Sequence, residues 1–260
     1  MSDTAALSAR VGTHALSKVP EATALFWLAK ILTTGMGETA SDFLNVNFEP
    51  LFVIPFAALA LAGALVLQFR TARYTPWVYW LAVALVSVFG TMAADVAHVA
   101  LGIPYLASTV VFAVALAVVF VLWRRTEKTL SIHSITTPRR ETFYWLTVLV
   151  TFALGTAAGD LTATIFGFGY FGSGILFAVI IAVPAIGYWK FRLNPVFAFW
   201  FAYIVTRPLG ASFADWIAVS PARGGLGLGT GPITLVLVAL IAACVAVMAS
   251  RHRAQDARAS

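Results

Sequence analysis

Polar residues interrupt the long apolar stretches of this chain at regular positions. An aromatic residue and a Trp recur four times as a pair, with Gly ten positions and Asp fifteen positions after each Trp. The copies are Phe26-Trp27…Gly37…Asp42, Tyr79-Trp80…Gly90…Asp95, Tyr144-Trp145…Gly155…Asp160 and Phe199-Trp200…Gly210…Asp215. Four of the six Asp residues keep this spacing, which indicates a fourfold internal repeat.

The apolar stretches predict an all-α membrane protein with eight transmembrane helices, two in each repeat. Capping residues, prolines and terminal arginines set the boundaries. The predicted helices are residues 20–44, 51–69, 76–100, 104–123 and 142–166, a sixth that follows the Gly-rich turn 167–174 and ends near 189, a seventh from 195, and an eighth at 232–250. Pro208 is expected to kink or interrupt the seventh. Since each repeat is a helical hairpin, all four enter the membrane from one side and are related in parallel.

Composition and charge place the protein in a membrane. Hydrophobic residues make up 60% of the 260 residues and charged residues 11%, beyond the range of ordinary soluble domains. One side of the predicted bundle, with both termini and the loops after helices 2, 4 and 6, carries fourteen of the seventeen Lys and Arg. The termini are therefore predicted to be cytoplasmic. Basic residues at helix ends do not form a nucleic-acid groove.

The longest polar connection divides the chain into two halves. We expect a polar N-terminal segment at 1–17, a first half at 18–125 with repeats 1 and 2, a cytoplasmic linker at 126–141, a second half at 142–250 with repeats 3 and 4, and a basic C-terminal tail at 251–260. The first apolar run is long and charged, unlike a signal peptide, so no cleavage is expected.

A polar stripe follows each odd-numbered helix. Positions three, seven, eleven and fifteen after the Trp form one slanted line on a helix face. These positions hold Lys30, Thr34, Glu38 and Asp42; Val83, Ser87, Thr91 and Asp95; Val148, Phe152, Thr156 and Asp160; and Tyr203, Arg207, Ala211 and Asp215. Such faces cannot face lipid, so we expect the odd-numbered helices to surround a central axis and the even-numbered helices to form the outer wall.

The stripe supplies the candidate chemistry. Clustered carboxylates in a low dielectric either take up protons or hold a cation. His98 lies one helical turn after Asp95 and could share a ligand with it or pass a proton. The candidate residues for substrate or proton binding are Glu38, Asp42, Asp95, Asp160, Asp215, Lys30, Arg207, Thr34, Thr91 and Thr156, and the candidate metal ligands are Glu38, Asp42, Asp95, His98, Asp160 and Asp215.

Structural roles are the alternatives. The acidic residues could form a polar network that fixes helix register, with Asp42 or Asp215 paired to Lys30 or Arg207. The four repeated Gly would then serve close helix packing, and the four Trp would be interfacial anchors.

Two segments carry a resemblance to a known family. They are Lys18-Val-Pro-Glu-Ala-Thr…Phe26-Trp27…Lys30…Thr34…Gly37-Glu38-Thr39…Asp42-Phe43-Leu44 and Gly155-Thr156-Ala157-Ala158-Gly159-Asp160. Together with the repeat, they resemble a family of bacterial multi-pass membrane proteins built from four tandem two-helix repeats, each with a Trp, whose repeat has no assigned function. The resemblance implies the architecture and a location in the bacterial inner (plasma) membrane, but no activity.

The residues favour a secondary transporter of a cation. Hard oxygen ligands suit a divalent metal such as Mn²⁺, exchanged against or coupled to protons. The first alternative is a proton-coupled carrier of a small organic solute, with Tyr79, Tyr144 and Tyr203 beside the solute and Lys30 and Arg207 on an anionic group. The second alternative is a non-transporting scaffold or receptor.

No enzymatic motif is found, so we do not expect an enzyme. We expect no covalent cofactor. We expect a bound divalent cation, either Mn²⁺ or Mg²⁺. The expected partners are membrane lipid, a cation and protons, and no nucleic acid. The sequence is compatible with an oligomer.

Overall fold

A computed structural model describes residues 17–259 of the chain as an all-helical bundle without strands. The eight long helices are α1 Ala24–Asn47, α2 Pro50–Arg70, α3 Pro76–Asp95, α4 Tyr105–Glu127, α5 Pro138–Asp160, α6 Gly169–Phe191, α7 Pro195–Ala218 and α8 Thr230–Ala259. π-helical turns at Val96–Ala100 and Leu161–Ile165 extend α3 and α5, and short 3₁₀ helices lie at Ile132–Ser134 and Pro221–Arg223. The predicted N-terminal segment 1–17 lies outside the described residues except for Ser17.

Side-chain caps and prolines determine where several helices begin. The Thr23 hydroxyl accepts a hydrogen bond from the Phe26 amide, so α1 begins after Thr23 and not at the predicted Pro20. Thr137 caps α5 in the same way, which moves its start ahead of the predicted residue 142. Helix α8 continues through the predicted tail 251–260 as far as Ala259 because Arg, Ala and Gln favour helix. Helix α7 continues through Pro208 without interruption.

The helices have the length and hydropathy of membrane spans. Seven of the eight are long and apolar enough to cross a bilayer, and α1 is the exception. Its polar stripe lowers its hydropathy, although its 24 residues are sufficient in length. Half of the residues of α1 are buried between other helices, so its polar groups are shielded from lipid. The chain is a multi-pass membrane protein.

The odd-numbered helices form an inner ring, as predicted. Over an 18-residue apolar stretch, 56–61% of the residues of α3, α5 and α7 are buried, against 17–22% for α2, α4, α6 and α8. Around the ring, α1 packs against α3, α3 against α5, α5 against α7, and α7 against α1. The even-numbered helices expose apolar side chains as the outer wall.

The outer helices pack across repeats. Helix α2 packs on α3, α4 on α5, α6 on α7, and α8 returns to pack on α1. The two helices of one repeat make far less contact with each other. The predicted hairpins therefore describe how the helices are connected but not how they pack, because each outer helix fills a position against the next inner helix.

We call the two ends of the inner ring the Trp end, with Trp27, Trp80, Trp145 and Trp200, and the Asp end, with the four repeated Asp. A buried ion pair holds the Trp end together: Lys18 Nζ lies 2.6 Å from Glu141 Oε2 and donates to the Phe69 carbonyl. Gln68 Nε2 also donates to Glu141, at 3.0 Å. This pair joins the segment before α1 to the end of α2 and the start of α5.

Candidate functional site

Glycine contacts bring the inner helices into a common register. A Cβ added to the repeated Gly of one inner helix would meet the residue seven positions after the Trp of the next: Gly37 meets Ser87, Gly90 meets Phe152, Gly155 meets Arg207, and Gly210 meets Thr34. The last contact returns to α1, so the four contacts form a closed ring. Only a residue without a side chain permits such close approach. The packing interpretation of these glycines agrees with this geometry.

A polar cluster occupies the centre of this ring. Arg207, fully buried, donates from Nη2 to Glu38 Oε2 at 2.8 Å and to Thr156 Oγ1 at 2.7 Å. It also donates to the hydroxyl of Thr91, and its Nη1 donates to the Thr34 carbonyl at 3.0 Å. Five of the predicted site residues thus meet, and all four repeats contribute.

The symmetry of the central cluster is broken in the fourth repeat. Eleven positions after the Trp, repeats 1 to 3 supply Glu38, Thr91 and Thr156, whereas repeat 4 supplies Ala211. The side chain of Arg207, one turn earlier on α7, reaches the polar groups of this layer. One guanidinium therefore serves three different helices.

Lys30 lies on the Trp side of this cluster in an aromatic pocket. Its Nζ is 4.1 Å from the centre of the Phe152 ring and 4.3 Å from that of Tyr203. The amine is buried and has no hydrogen-bond partner among residues 17–259. A cation over an aromatic ring gains about 2 kcal/mol when desolvated, whereas burying an unpaired ion costs several. The two rings alone therefore do not offset the cost of an ammonium here.

Aromatic side chains close the Trp end. The hydroxyl groups of Tyr79 and Tyr144 are 2.5 Å apart, and the rings of Phe26 and Phe199 are 6.1 Å apart. These four residues precede the four Trp. Trp80, Trp145 and Trp200 are buried at 2–4% exposure, so the expectation that all four Trp are interfacial anchors is not met.

The four Asp lie together at the opposite end, and three of them are half-buried. Asp42, Asp95 and Asp160 keep partial exposure, and Asp215 is 7% exposed. Each interacts electrostatically with Glu38 and with at least one other Asp. Asp95 accepts hydrogen bonds from Ser41 at 3.1 Å and Asn45 at 3.3 Å. The Asp end is thus an acidic, partly open region.

No Asp of the quartet forms an ion pair with a basic side chain among residues 17–259. The described residues therefore do not contain the ion pairs of Asp42 or Asp215 with Lys30 or Arg207 that the structural alternative predicted. Arg207 pairs instead with Glu38. The quartet keeps its negative charge or its protons without a fixed counter-ion.

A metal cage is not preformed in the part of the chain that the structure describes. No three His, Cys, Asp or Glu side chains there lie close enough to share one ion. His98 is turned toward α4: its Nδ1 lies 3.3 Å from the Ile103 carbonyl oxygen, and its ring centre lies 4.2 Å from that of Tyr105, with the two rings tilted by 40°. His98 does not pair with Asp95, because the π-helical turn that begins at Val96 changes the helical register after Asp95.

Sequence reasoning missed several polar groups at the Asp end. Ser41 and Asn45 extend the polar face of α1 by one further turn, a signal that was present in their four-residue spacing. Arg223 donates to the Tyr170 hydroxyl at 2.9 Å and interacts electrostatically with Asp42 and Asp215. No periodic pattern marks Arg223, because it lies in a short 3₁₀ helix between α7 and α8.

The four inner helices define a multi-pass membrane protein in which four copies of a two-helix unit share one polar axis. The chain belongs to the family of the Repeat of Unknown Function (DUF347), whose model matches residues 25–74, 78–129, 143–193 and 198–254. Each match begins two residues before a repeated Trp, which is the register found from the Trp, Gly and Asp spacing. Neither the proteins of curated function nor the solved structures gave a match.

Proposed function

We propose that this protein is a secondary transporter that exchanges a cation for protons along the axis of the inner ring. The observation that carries the proposal is the order of groups along that axis. An open acidic end, a central Arg207–Glu38 pair and a closed aromatic end follow one another. A site reachable from one side while the other is closed is what alternating access requires.

The acidic end favours cations. Four carboxylates in one partly open region attract positive ions and exclude anions. Their oxygen atoms suit Mg²⁺ or Mn²⁺. Since no three ligands converge on one point, the ion would keep much of its water shell and bind one or two carboxylates, as Mg²⁺ commonly does.

The central pair would couple the ion to the bundle. Glu38 is held by Arg207 through one oxygen, Oε2, and lies between the Asp quartet and Lys30 in the stripe. A cation that reaches Glu38 from the Asp end competes with Arg207 for the same carboxylate. Release of Arg207 from Glu38 would let its side chain move and break its hydrogen bonds to Thr91 and Thr156, which connect the inner helices.

Binding can be tested with purified protein in detergent. We expect Mn²⁺ or Mg²⁺ to raise the melting temperature of the wild type, because a ligand of the folded state stabilises it. Asp95→Asn and Asp160→Asn should remove this rise. Asp256→Asn in the exposed end of α8 is the matched control and should keep it. An equal rise in all four proteins would place the ion outside the quartet and contradict the proposal.

A carrier of a small organic solute with an anionic group is the second candidate. It is favoured by two buried donors, Lys30 Nζ and Arg207 Nε, which have no hydrogen-bond partner among the residues that the structure describes. Such a carrier would ignore Mn²⁺ and Mg²⁺ in the melting assay. It would instead be stabilised by carboxylate solutes in a manner abolished by Lys30→Met. A scaffold would respond to neither.

A further inference from the structure

The amine of Lys30 is a buried ionisable group that takes no part in the Arg207–Glu38 ion pair. It is 1% exposed, and its Nζ has no hydrogen-bond partner in the described part of the chain. The nearest groups are the rings of Phe152 and Tyr203, at 4.1 and 4.3 Å. Because a buried donor is normally paired, an unpaired amine on the transport axis indicates that its charge state changes during function.

The charges around Lys30 are unbalanced. Arg207 on α7 is the charged group that interacts electrostatically with Lys30. The described residues of α3, α5 and α8 contribute no further charged group to this interaction. Arg207 already uses Glu38 as its counter-ion, so a proton on Lys30 would add a second positive charge without a partner. In the present arrangement an ammonium group on Lys30 would therefore lack a counter-ion, so we infer that protonation accompanies another arrangement of the helices.

The position of Lys30 separates it from the Asp quartet. In the stripe of α1 it lies eight residues before Glu38 and twelve before Asp42, on the side of the closed aromatic layer. The Arg207 cluster lies between the two regions. A group on the Trp side of this cluster is placed to exchange protons when the aromatic layer opens, while the quartet is placed to exchange ions at the opposite end.

We propose that Lys30 is the proton-binding site of the exchange. This inference rests on the proposed function and assigns its proton-carrying group. A cation at Glu38 and a proton on Lys30 place two positive charges beside Arg207, so each disfavours the other. If the protein binds either the cation or the proton but not both at once, it exchanges one for the other and does not let either pass without the other.

The experiment uses the full chain in proteoliposomes that contain a pH-sensitive dye. An imposed Mn²⁺ gradient should drive proton movement in the wild type and none in Lys30→Met. A Met of similar length can fill the aromatic pocket, so its melting temperature should equal or exceed that of the wild type. Lys190→Met, a substitution of an exposed Lys at the end of α6, is the control and should retain proton movement.

Further measurements keep the inference falsifiable. Manganese exchange between equal Mn²⁺ solutions should persist in Lys30→Met, which separates lost coupling from lost folding. In detergent, the cation-free protein should reach the other arrangement, in which Lys30 is protonated, so Mn²⁺ binding should release one proton fewer from Lys30→Met than from the wild type. If Lys30→Met moves protons in vesicles as the wild type does, or releases as many protons as the wild type when it binds Mn²⁺ in detergent, Lys30 is not the proton-binding site. If the wild type itself moves no protons with Mn²⁺, Mg²⁺, Na⁺ or K⁺, the proposed function fails and this inference with it.

Discussion

Arg207 is the residue that connects the four repeats at the centre of the bundle. It is fully buried and donates to groups on α1, α3 and α5. Its acidic partner within residues 17–259 is Glu38. Removing one member of a buried pair leaves the other with its full desolvation cost, so this position should be sensitive to loss of charge balance.

Glu38→Gln tests this balance. We expect it to lower the free energy of unfolding by about 3–5 kcal/mol, because Arg207 would remain charged without a counter-ion. The double variant with Arg207→Met should be less destabilised than the sum of the single changes. Unfolding in detergent gives both values. Glu49→Gln at the exposed start of α2 is the control, and an equally small effect at both positions would contradict the account.

At the scale of elements, the glycine ring fixes how closely the inner helices pack. The four repeated Gly each lie against a side chain or backbone of the next inner helix. In α2, by contrast, Gly63 has no neighbour within 4 Å of the position where a Cβ would lie. The same substitution should therefore have opposite effects in the two contexts.

We expect Gly90→Ala to destabilise the protein by about 1–3 kcal/mol, since its Cβ would lie 2.6 Å from that of Phe152 and overpack the contact. Gly63→Ala should be neutral or stabilise by up to about 1 kcal/mol, because Ala favours helix over Gly. Melting temperatures in detergent compare the two. Equal destabilisation would show that helix packing does not depend on the ring.

Most elements could be predicted because apolar runs, proline starts and the repeated stripe report local structure. The π-helical turns after Asp95 and Asp160 could not, because an inserted residue leaves no mark on hydropathy. The stripe identified Glu38, Thr91, Thr156 and Arg207, but it did not show that Arg207 pairs with Glu38 in place of Asp42 or Asp215. That choice depends on the reach of Arg207 across the axis, which spacing along one helix does not contain.

At the scale of the whole molecule, the outer helices connect the repeats into a closed circle. Each outer helix packs on the inner helix of the next repeat, and α8 packs on α1. Sequence could not reveal this arrangement, because outer helices are apolar over most of their surface and give no direction to their packing. The hydroxyl groups of Thr39 and Thr234, 2.8 Å apart, mark the closure.

The closure can be tested by a disulfide. Thr39→Cys and Thr234→Cys, with Cys244→Ala, should form a crosslink between α1 and α8. After cleavage at a protease site inserted beside the exposed Thr136, the chain should migrate as one band without reductant and as two with it. Thr39→Cys paired with Ser173→Cys in α6 is the control and should not crosslink. Failure of the first pair would show that repeat 4 does not pack on repeat 1.

The most direct measurement of the central claim is cation-driven proton movement in proteoliposomes. When an Mn²⁺ gradient is imposed, the wild type and Asp256→Asn should move protons in the direction opposite to the Mn²⁺ flow. Asp160→Asn, in which one carboxylate of the quartet is neutralised, should not move protons. Proton movement that is equal in all three proteins, or absent from the wild type with every cation tried, would contradict exchange through the acidic axis.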